Sequence, residues 1–243
     1  MGCFITNSSV GKKFVMSISG CFLVLFILFH MSMNLTMLFS RDGYNAICEF
    51  LGANWYALAG TALLAAGVAV HFIYAIILTI DNYRARGKQR YAVTVQEKGV
   101  SWASKNMLVL GVIVILGLLL HLAHFWAKMQ LVEIMHSEFA TATVDGVTFP
   151  VAPTNGALLM AVTFSNPVHL ILYLVWFVAL WYHLTHGVWS MFQTVGFAND
   201  TWYPRLKCIA NVVATLIFLG FAIVAIMCYL NSDVYIAEAL QLQ

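Results

Sequence analysis

The chain has 243 residues, 62% of them hydrophobic and 9% charged, with a formal net charge of +2 and a mean hydropathy of +0.85. A domain that faces water carries about 25% charged residues, so this composition excludes a soluble enzyme and a disordered chain; the weak charge excludes the basic face of a nucleic-acid binder. The solvent for most of the chain is lipid. In chain order, Lys12 and Lys13 precede a first apolar run over residues 14–39. That run is too long for a signal-peptide core and lacks a small-residue cleavage site, so it is read as a retained span. Further runs over 56–80, 107–127, 168–195 and 208–230 each reach the roughly 20 apolar residues that a membrane-crossing helix needs. The expected fold is an all-α integral membrane protein, a single transmembrane domain over residues 1–243 with five spans and with its termini on opposite sides. A short loop (40–55), a basic loop (81–106), a longer polar stretch (128–166) and a tight connection (196–207) separate the spans.

Cytoplasmic loops collect Lys and Arg. Lys12, Lys13, Arg84, Arg86, Lys88, Arg90, Lys98, Lys105, Arg205 and Lys207 fall on one side of this arrangement, and Arg41 and Lys128 on the other. The bias predicts a multi-pass protein of a bacterial cytoplasmic (inner) membrane with a cytoplasmic N-terminus. Trp55, Trp102, Trp126 and Trp202 stand near span ends, where they fit interfacial aromatic belts or simple packing. The five cysteines, Cys3, Cys21, Cys48, Cys208 and Cys228, show no CxxC or CxxCH spacing, which points neither to a disulfide frame nor to covalent haem attachment.

Histidines carry the chemistry. His136 lies in a loop and His169 at the mouth of the fourth span, but six others lie inside spans: His30 in the first, His71 in the second, His121 and His124 in the third, His183 and His186 in the fourth. An ionisable residue at membrane depth is costly and is by default a functional hypothesis. By the helical rise, His30 stands nearer Arg41 than Lys13 and His121 nearer Lys128 than Lys105, both toward the outside, while His71 and His183 lie deeper toward the cytoplasm. Two imidazoles at one depth on facing helices can hold a six-coordinate haem iron. Two depths imply two haems, with the first four spans forming the haem-binding bundle: an outer haem on His30 and His121, an inner one on His71 and His183, both of b type. The HxxH pairs keep His124 and His186 open as second candidates, since i and i+3 share nearly one helix face. The unused member of each pair would hydrogen-bond a propionate, water or backbone. Four unrelated core histidines are the plain alternative; a zinc site is disfavoured because no acidic residue or cysteine stands beside them.

Five segments, SVGKKFVMSISG leading to LFHMSMNL, AVHFIYAIILTIDNYRAR, LLLHLAHFW, NPVHLILYLVWFVALWYH and HLTHGVWSMFQTVG, give the chain a resemblance. It resembles the single-chain, five-helix, di-haem cytochrome b anchor of succinate:quinone oxidoreductases, the group of succinate dehydrogenase and fumarate reductase. The most specific stretch is His183 followed by Gly187, Trp189, Ser190, Thr194 and Gly196. The resemblance implies His30, His71, His121 and His183 as axial ligands, paired as above. It also implies a flavoprotein subunit with covalent FAD and an iron–sulfur subunit docked on the cytoplasmic side, with quinone as the partner in the membrane; a dimer of the whole complex is compatible with it.

No GxGxxG fingerprint is present, so dicarboxylate and flavin chemistry belong to the partners, and this chain would exchange electrons with quinone. The implied role leans toward menaquinol:fumarate reduction in anaerobic respiration. Arg84 and Arg86 are candidates for propionate or partner contacts beside their role as topology signals. Glu49 is the candidate for proton exchange at a quinone site, set against the reading of a solvated loop carboxylate. Some family members carry an acidic residue just ahead of the fourth ligand, where this chain has Leu180, Trp181 and Tyr182. A cytochrome b anchor of a hydrogenase or formate dehydrogenase, and a cofactor-free transporter, are the rival readings.

Overall fold

The computed structural model describes residues 8–86, 102–197 and 199–241. It is mostly helical, at 82%, and five helices are long and apolar enough to cross a membrane; the chain is a multi-pass membrane protein on that ground. The order is α1 (Ser9–Leu35) with a 3-10 turn (Thr36–Leu38), α2 (Arg41–Phe50), α3 (Trp55–Arg86), α4 (Trp102–Lys105), α5 (Met107–His124) with a 3-10 turn (Trp126–Lys128), and α6 (Gln130–Ile134). There follow β1 (Ala140–Val144), β2 (Val147–Val151), α7 (Gly156–Ser165), α8 (Pro167–Thr194), α9 (Trp202–Leu230) and α10 (Ser232–Gln241). Helices α1, α3, α5, α8 and α9 are the crossing candidates.

In hydrocarbon every backbone N–H and C=O must find a partner within its own segment, and the helix is the local solution. Hydroxyls inside the long helices fold back on the same ladder: Ser17 donates to the Lys13 carbonyl at 3.0 Å, Ser32 to Leu28 at 2.8 Å and Thr79 to Ala75 at 2.7 Å, which hides the polar atom. The helix ends carry sequence signals. Pro167 opens α8 while Asn166 Oδ1 accepts from the Val168 N–H at 2.9 Å, a Pro-at-first-position start with a side-chain cap. Gly196 stops the helix with φ +85°, the left-handed conformation that a residue without Cβ adopts freely. None of the apolar window of α3 is buried within the chain, a surface that only an apolar surrounding tolerates.

The chain forms two compact units, and each boundary between them falls inside one of the five long helices. One unit comprises residues 1–26, 63–112 and 181–215. Here Lys12 Nζ pairs with Asp81 at 2.7 Å, Trp181 Nε1 donates to Thr215 Oγ1 at 3.0 Å, and a Cβ on Gly67 would stand 2.7 Å from the Phe22 ring. Glycine is therefore required for α1 and α3 to approach there. Trp189 and Tyr203 meet edge to face, and the Lys207 ammonium lies 5.2 and 4.2 Å from their ring centres.

The other unit comprises residues 27–62, 113–180 and 216–243, and it changes the reading of the 128–166 stretch. That stretch is folded. Asp145 and Gly146 have φ of +50° and +80°, and they join β1 to β2 in an antiparallel hairpin with Val144 opposite Val147, as an Asp-Gly turn between alternating strands does. Behind it α7 is buried from Gly156 through Phe164. At ten residues α7 is too short to cross a bilayer, so it buries its surface against protein: α2, α10 and β1. Its first N–H groups are satisfied by side chains, Ala157 by Asn45 Oδ1 at 2.9 Å and Leu158 by Asn155 Oδ1 at 3.1 Å, and Asn45 Nδ2 donates to Asn155 Oδ1 at 3.1 Å.

Two apolar clusters hold this unit. The first includes Met37, Tyr44, Met160, Phe164, Tyr173, Phe177 and Cys228; the second includes Phe149, Val151, Leu159, Val162 and Ile236. Burial pushes the Cys48 thiol up to about 11 and raises the Tyr44 phenol well above its ordinary value, so both groups stay neutral even in mildly alkaline solution. Gln130 is a satisfied buried amide: its Oε1 accepts from Thr61 and Trp126 Nε1, both at 2.9 Å, and its Nε2 donates to the Gly52 carbonyl at 3.1 Å. Glu133 Oε2 accepts from the Ala53 N–H at 2.6 Å. A Cβ on Gly52 would stand 2.5 Å from the same carboxylate, so any other residue there would displace the Glu133 side chain from its bond to Ala53.

Candidate functional site

Two cross-helix imidazole pairs stand out, one in each unit. In the second unit α1 presents His30 and α5 presents His121, with ring centres 5.8 Å apart and planes at 81°. In the first unit α3 presents His71 and α8 presents His183, with centres 6.4 Å apart and planes at 66°. Metal–imidazole bonds are about 2 Å long. With about 1 Å more from each nitrogen to its ring centre, imidazoles on opposite sides of one metal ion have centres about 6 Å apart. Both separations meet that requirement, and rings whose nitrogens share one axis satisfy it at any angle between their planes.

The surroundings fix proton positions. His71 Nδ1 stands 3.2 Å from the Ser19 hydroxyl, which lies 2.9 and 3.1 Å from the Val15 and Met16 carbonyls; the ring also hydrogen-bonds the Met16 backbone carbonyl, which only accepts, so the ring proton is placed on Nδ1. That leaves the Nε2 lone pair of His71 unprotonated, the state of a metal ligand with an oriented partner behind it. A Cβ on Gly20 would come within 3.3 Å of His71 Cε1. Among the described residues, His183 and His186 each bury an Nδ1 without a hydrogen-bond partner, an arrangement that costs energy unless something else engages the ring. His186 packs edge-on against Trp189 with centres 5.0 Å apart. It does not approach His71 in any ring contact among the described residues.

The His30 and His121 pair is set in aromatic rings. His121 lies 5.1 Å from Phe125, 5.9 Å from Trp176 and 6.5 Å from Tyr173, and His30 lies 5.9 Å from Phe221. Trp176 donates to the Val114 carbonyl at 3.0 Å and fills the space beside Gly117, where any Cβ would overlap the indole. Asn34 Nδ2 donates to the His30 carbonyl at 2.8 Å and stands 3.4 Å from His30 Nε2, while Asn34 Oδ1 accepts from Tyr44 at 3.2 Å. His124, the second HxxH candidate on α5, pairs instead with His169 of α8 at 4.5 Å.

The remaining sequence candidates stand apart from these pairs. Glu49 is exposed on α2, and its carboxylate makes no hydrogen bond or ion pair among the described residues; the carboxylate drawn into the structure is Glu133. Arg84 is exposed near the end of α3, and the side chain of Arg86 lies outside the described residues, as do Lys88, Arg90 and Lys98. Trp55, Trp102 and Trp202 are exposed, whereas Trp126 is tied to Gln130. Sequence reading did not find Ser19, Asn34, Tyr173 or Trp176 as supports. Ser19 and Asn34 were visible as polar residues in the first apolar run; the two rings carried no signal that separates them from ordinary core.

Compared with protein-family models, with characterised proteins and with solved structures, the chain matches none.

Proposed function

We propose that this chain is a di-haem cytochrome b that carries electrons between membrane quinone and the iron–sulfur subunit of a succinate dehydrogenase or fumarate reductase complex, with menaquinol:fumarate reduction as the direction. The observation that carries the reading is the occurrence of two cross-helix imidazole pairs, on four different long helices, each with the separation that one metal ion between two rings requires. The helix set supports the rest, since electron carriage through a lipid layer needs donors held within membrane-embedded helices. Bound between such rings, haem iron supplies one-electron redox chemistry whose potential the axial ligands and their hydrogen bonds adjust.

In this reading the chain's residues divide the work. His30 and His121 hold one haem b, and His71 and His183 the other. Ser19 orients His71 by accepting its Nδ1–H and raises the basicity of the opposite nitrogen. Phe125, Tyr173, Trp176 and Phe221 exclude water around the first pair, which strengthens electrostatic control of the site. Arg84 and Arg86 would meet haem propionates or the partner subunits on the cytoplasmic side, and Glu49 would exchange protons with quinone. The flavoprotein with FAD and the iron–sulfur protein supply the dicarboxylate chemistry, in a bacterial inner membrane.

The test is a pyridine haemochrome assay with a reduced-minus-oxidised spectrum on the purified chain. Two b-type haems per chain are expected. A colourless preparation from cells competent in haem synthesis, or one haem per chain, overturns the proposal.

A further inference from the structure

His124 and His169 form a third imidazole pair that the proposed function does not use. Their ring centres are 4.5 Å apart and their planes meet at 48°, with His124 on α5 and His169 on α8. Both rings are half-buried. His169 Nδ1 lies 3.0 Å from the Thr163 carbonyl; a carbonyl only accepts, so the ring proton sits on Nδ1 and the Nε2 lone pair is free. His124 Nδ1 lies 3.3 Å from the Tyr173 hydroxyl, which stacks beside the ring with centres 5.9 Å apart. A protein oxygen thus stands at the Nδ1 of each ring, and in the tautomer whose Nδ1–H donates to Tyr173 the His124 Nε2 is open to metal as that of His169 is.

The spacing selects the geometry. With bonds of about 2 Å, ring centres 4.5 Å apart subtend about 90–100° at a shared ion. That is the angle between neighbouring positions of a square-planar or tetragonal site, the preference of Cu2+ and Ni2+, and Cu2+ heads the affinity order for nitrogen ligands. We propose that His124 and His169 form a two-imidazole site for a divalent transition-metal ion, with Cu2+ as the best fit and water completing the coordination. One charge opposes it: the Lys128 ammonium is near enough to act electrostatically on His124. The bound ion would fasten α5 to α8. Nothing in this inference requires haem.

The experiment uses the untagged full-length chain in detergent, titrated with CuCl2 and followed by equilibrium dialysis and by electron paramagnetic resonance. The wild type is expected to bind one Cu2+ per chain more than His124→Gln or His169→Gln does, with the dissociation constant of this site raised about 100-fold or more in either variant. Its spectrum should carry splitting from two nitrogens. His136→Gln should behave as wild type, and Lys128→Gln should bind more tightly. Unchanged stoichiometry in both pair variants, or loss of the signal in His136→Gln, means an adventitious ion only and overturns the site. A wild-type spectrum with one nitrogen or none overturns it whether or not the variants fold.

Discussion

The two imidazole pairs have similar ring separations in unlike settings. His30 and His121 are fixed by aromatic packing, with Phe221, Phe125, Trp176 and Tyr173 all within ring contact. His71 and His183 have no such cage among the described residues; His71 is supported by Ser19 at 3.2 Å, by the Met16 carbonyl and by the narrow approach at Gly20. The comparison teaches that one ligand geometry can rest on shape in one place and on hydrogen bonds to one turn of α1 in another. The first is robust to loss of one hydrogen bond and sensitive to volume. The second is the reverse.

The largest expected effect removes a pair outright. His183→Ala and His121→Ala should each lower the haem content from two per chain to one, while His186→Ala should retain both; haem loss in His186→Ala together with retention in His183→Ala would exchange their roles. Next comes volume. Gly117→Ala forces the Trp176 indole aside and should destabilise the chain by about 1–3 kcal/mol. Gly20→Ala meets only the edge of His71 at 3.3 Å and should cost less than about 1 kcal/mol. Thermal unfolding followed by circular dichroism separates the two, and equal losses would erase the contrast.

Asn45→Ala probes the folded segment beside the aromatic cage. It strips the Ala157 N–H of its acceptor and should cost about 1–2 kcal/mol, with no change in the optical band assigned to His71 and His183. The smallest effect is expected for Ser19→Ala. With the Ser19 oxygen gone and only the Met16 carbonyl left to accept from the ring, His71 becomes a weaker donor, so the potential of one haem should rise by some tens of mV, given about 59 mV per tenfold change in a one-electron equilibrium. A redox titration in which neither haem moves would remove Ser19 from the account.

Much of this was legible in the sequence because lipid imposes a single rule. Apolar runs long enough to cross must be helices, so the five long helices follow from composition alone. That four of them carry histidines was equally plain. The choice within each HxxH pair was not, because His121 and His124 lie three residues apart on one face; what separates them is contact with His30 in one case and with His169 in the other. The folding of the 128–166 stretch is hidden in the sequence for a different reason. Asp145-Gly146 between alternating strands was a readable hairpin signal, and Asn155 with Asn166-Pro167 bracketed a helix. The run from Gly156 to Phe164 is apolar on every side, so periodicity gives no orientation, and it is too short to be a span. Ser19 with His71 and Tyr173 with His124 are contacts between distant parts of the chain, for which local pattern has no code.

The ion pair between Arg41 and Glu238, at 2.6 Å, adds little to stability because both side chains are partly exposed, but it joins residues 197 positions apart. At about 5–20 residues per second on the ribosome, roughly 10–40 s pass between synthesis of α2 and arrival of α10, which packs on α7. The layer formed by α2, α7 and α10 is therefore completed only after every long helix has been made, and until then the buried face of α7 needs a temporary shelter from water.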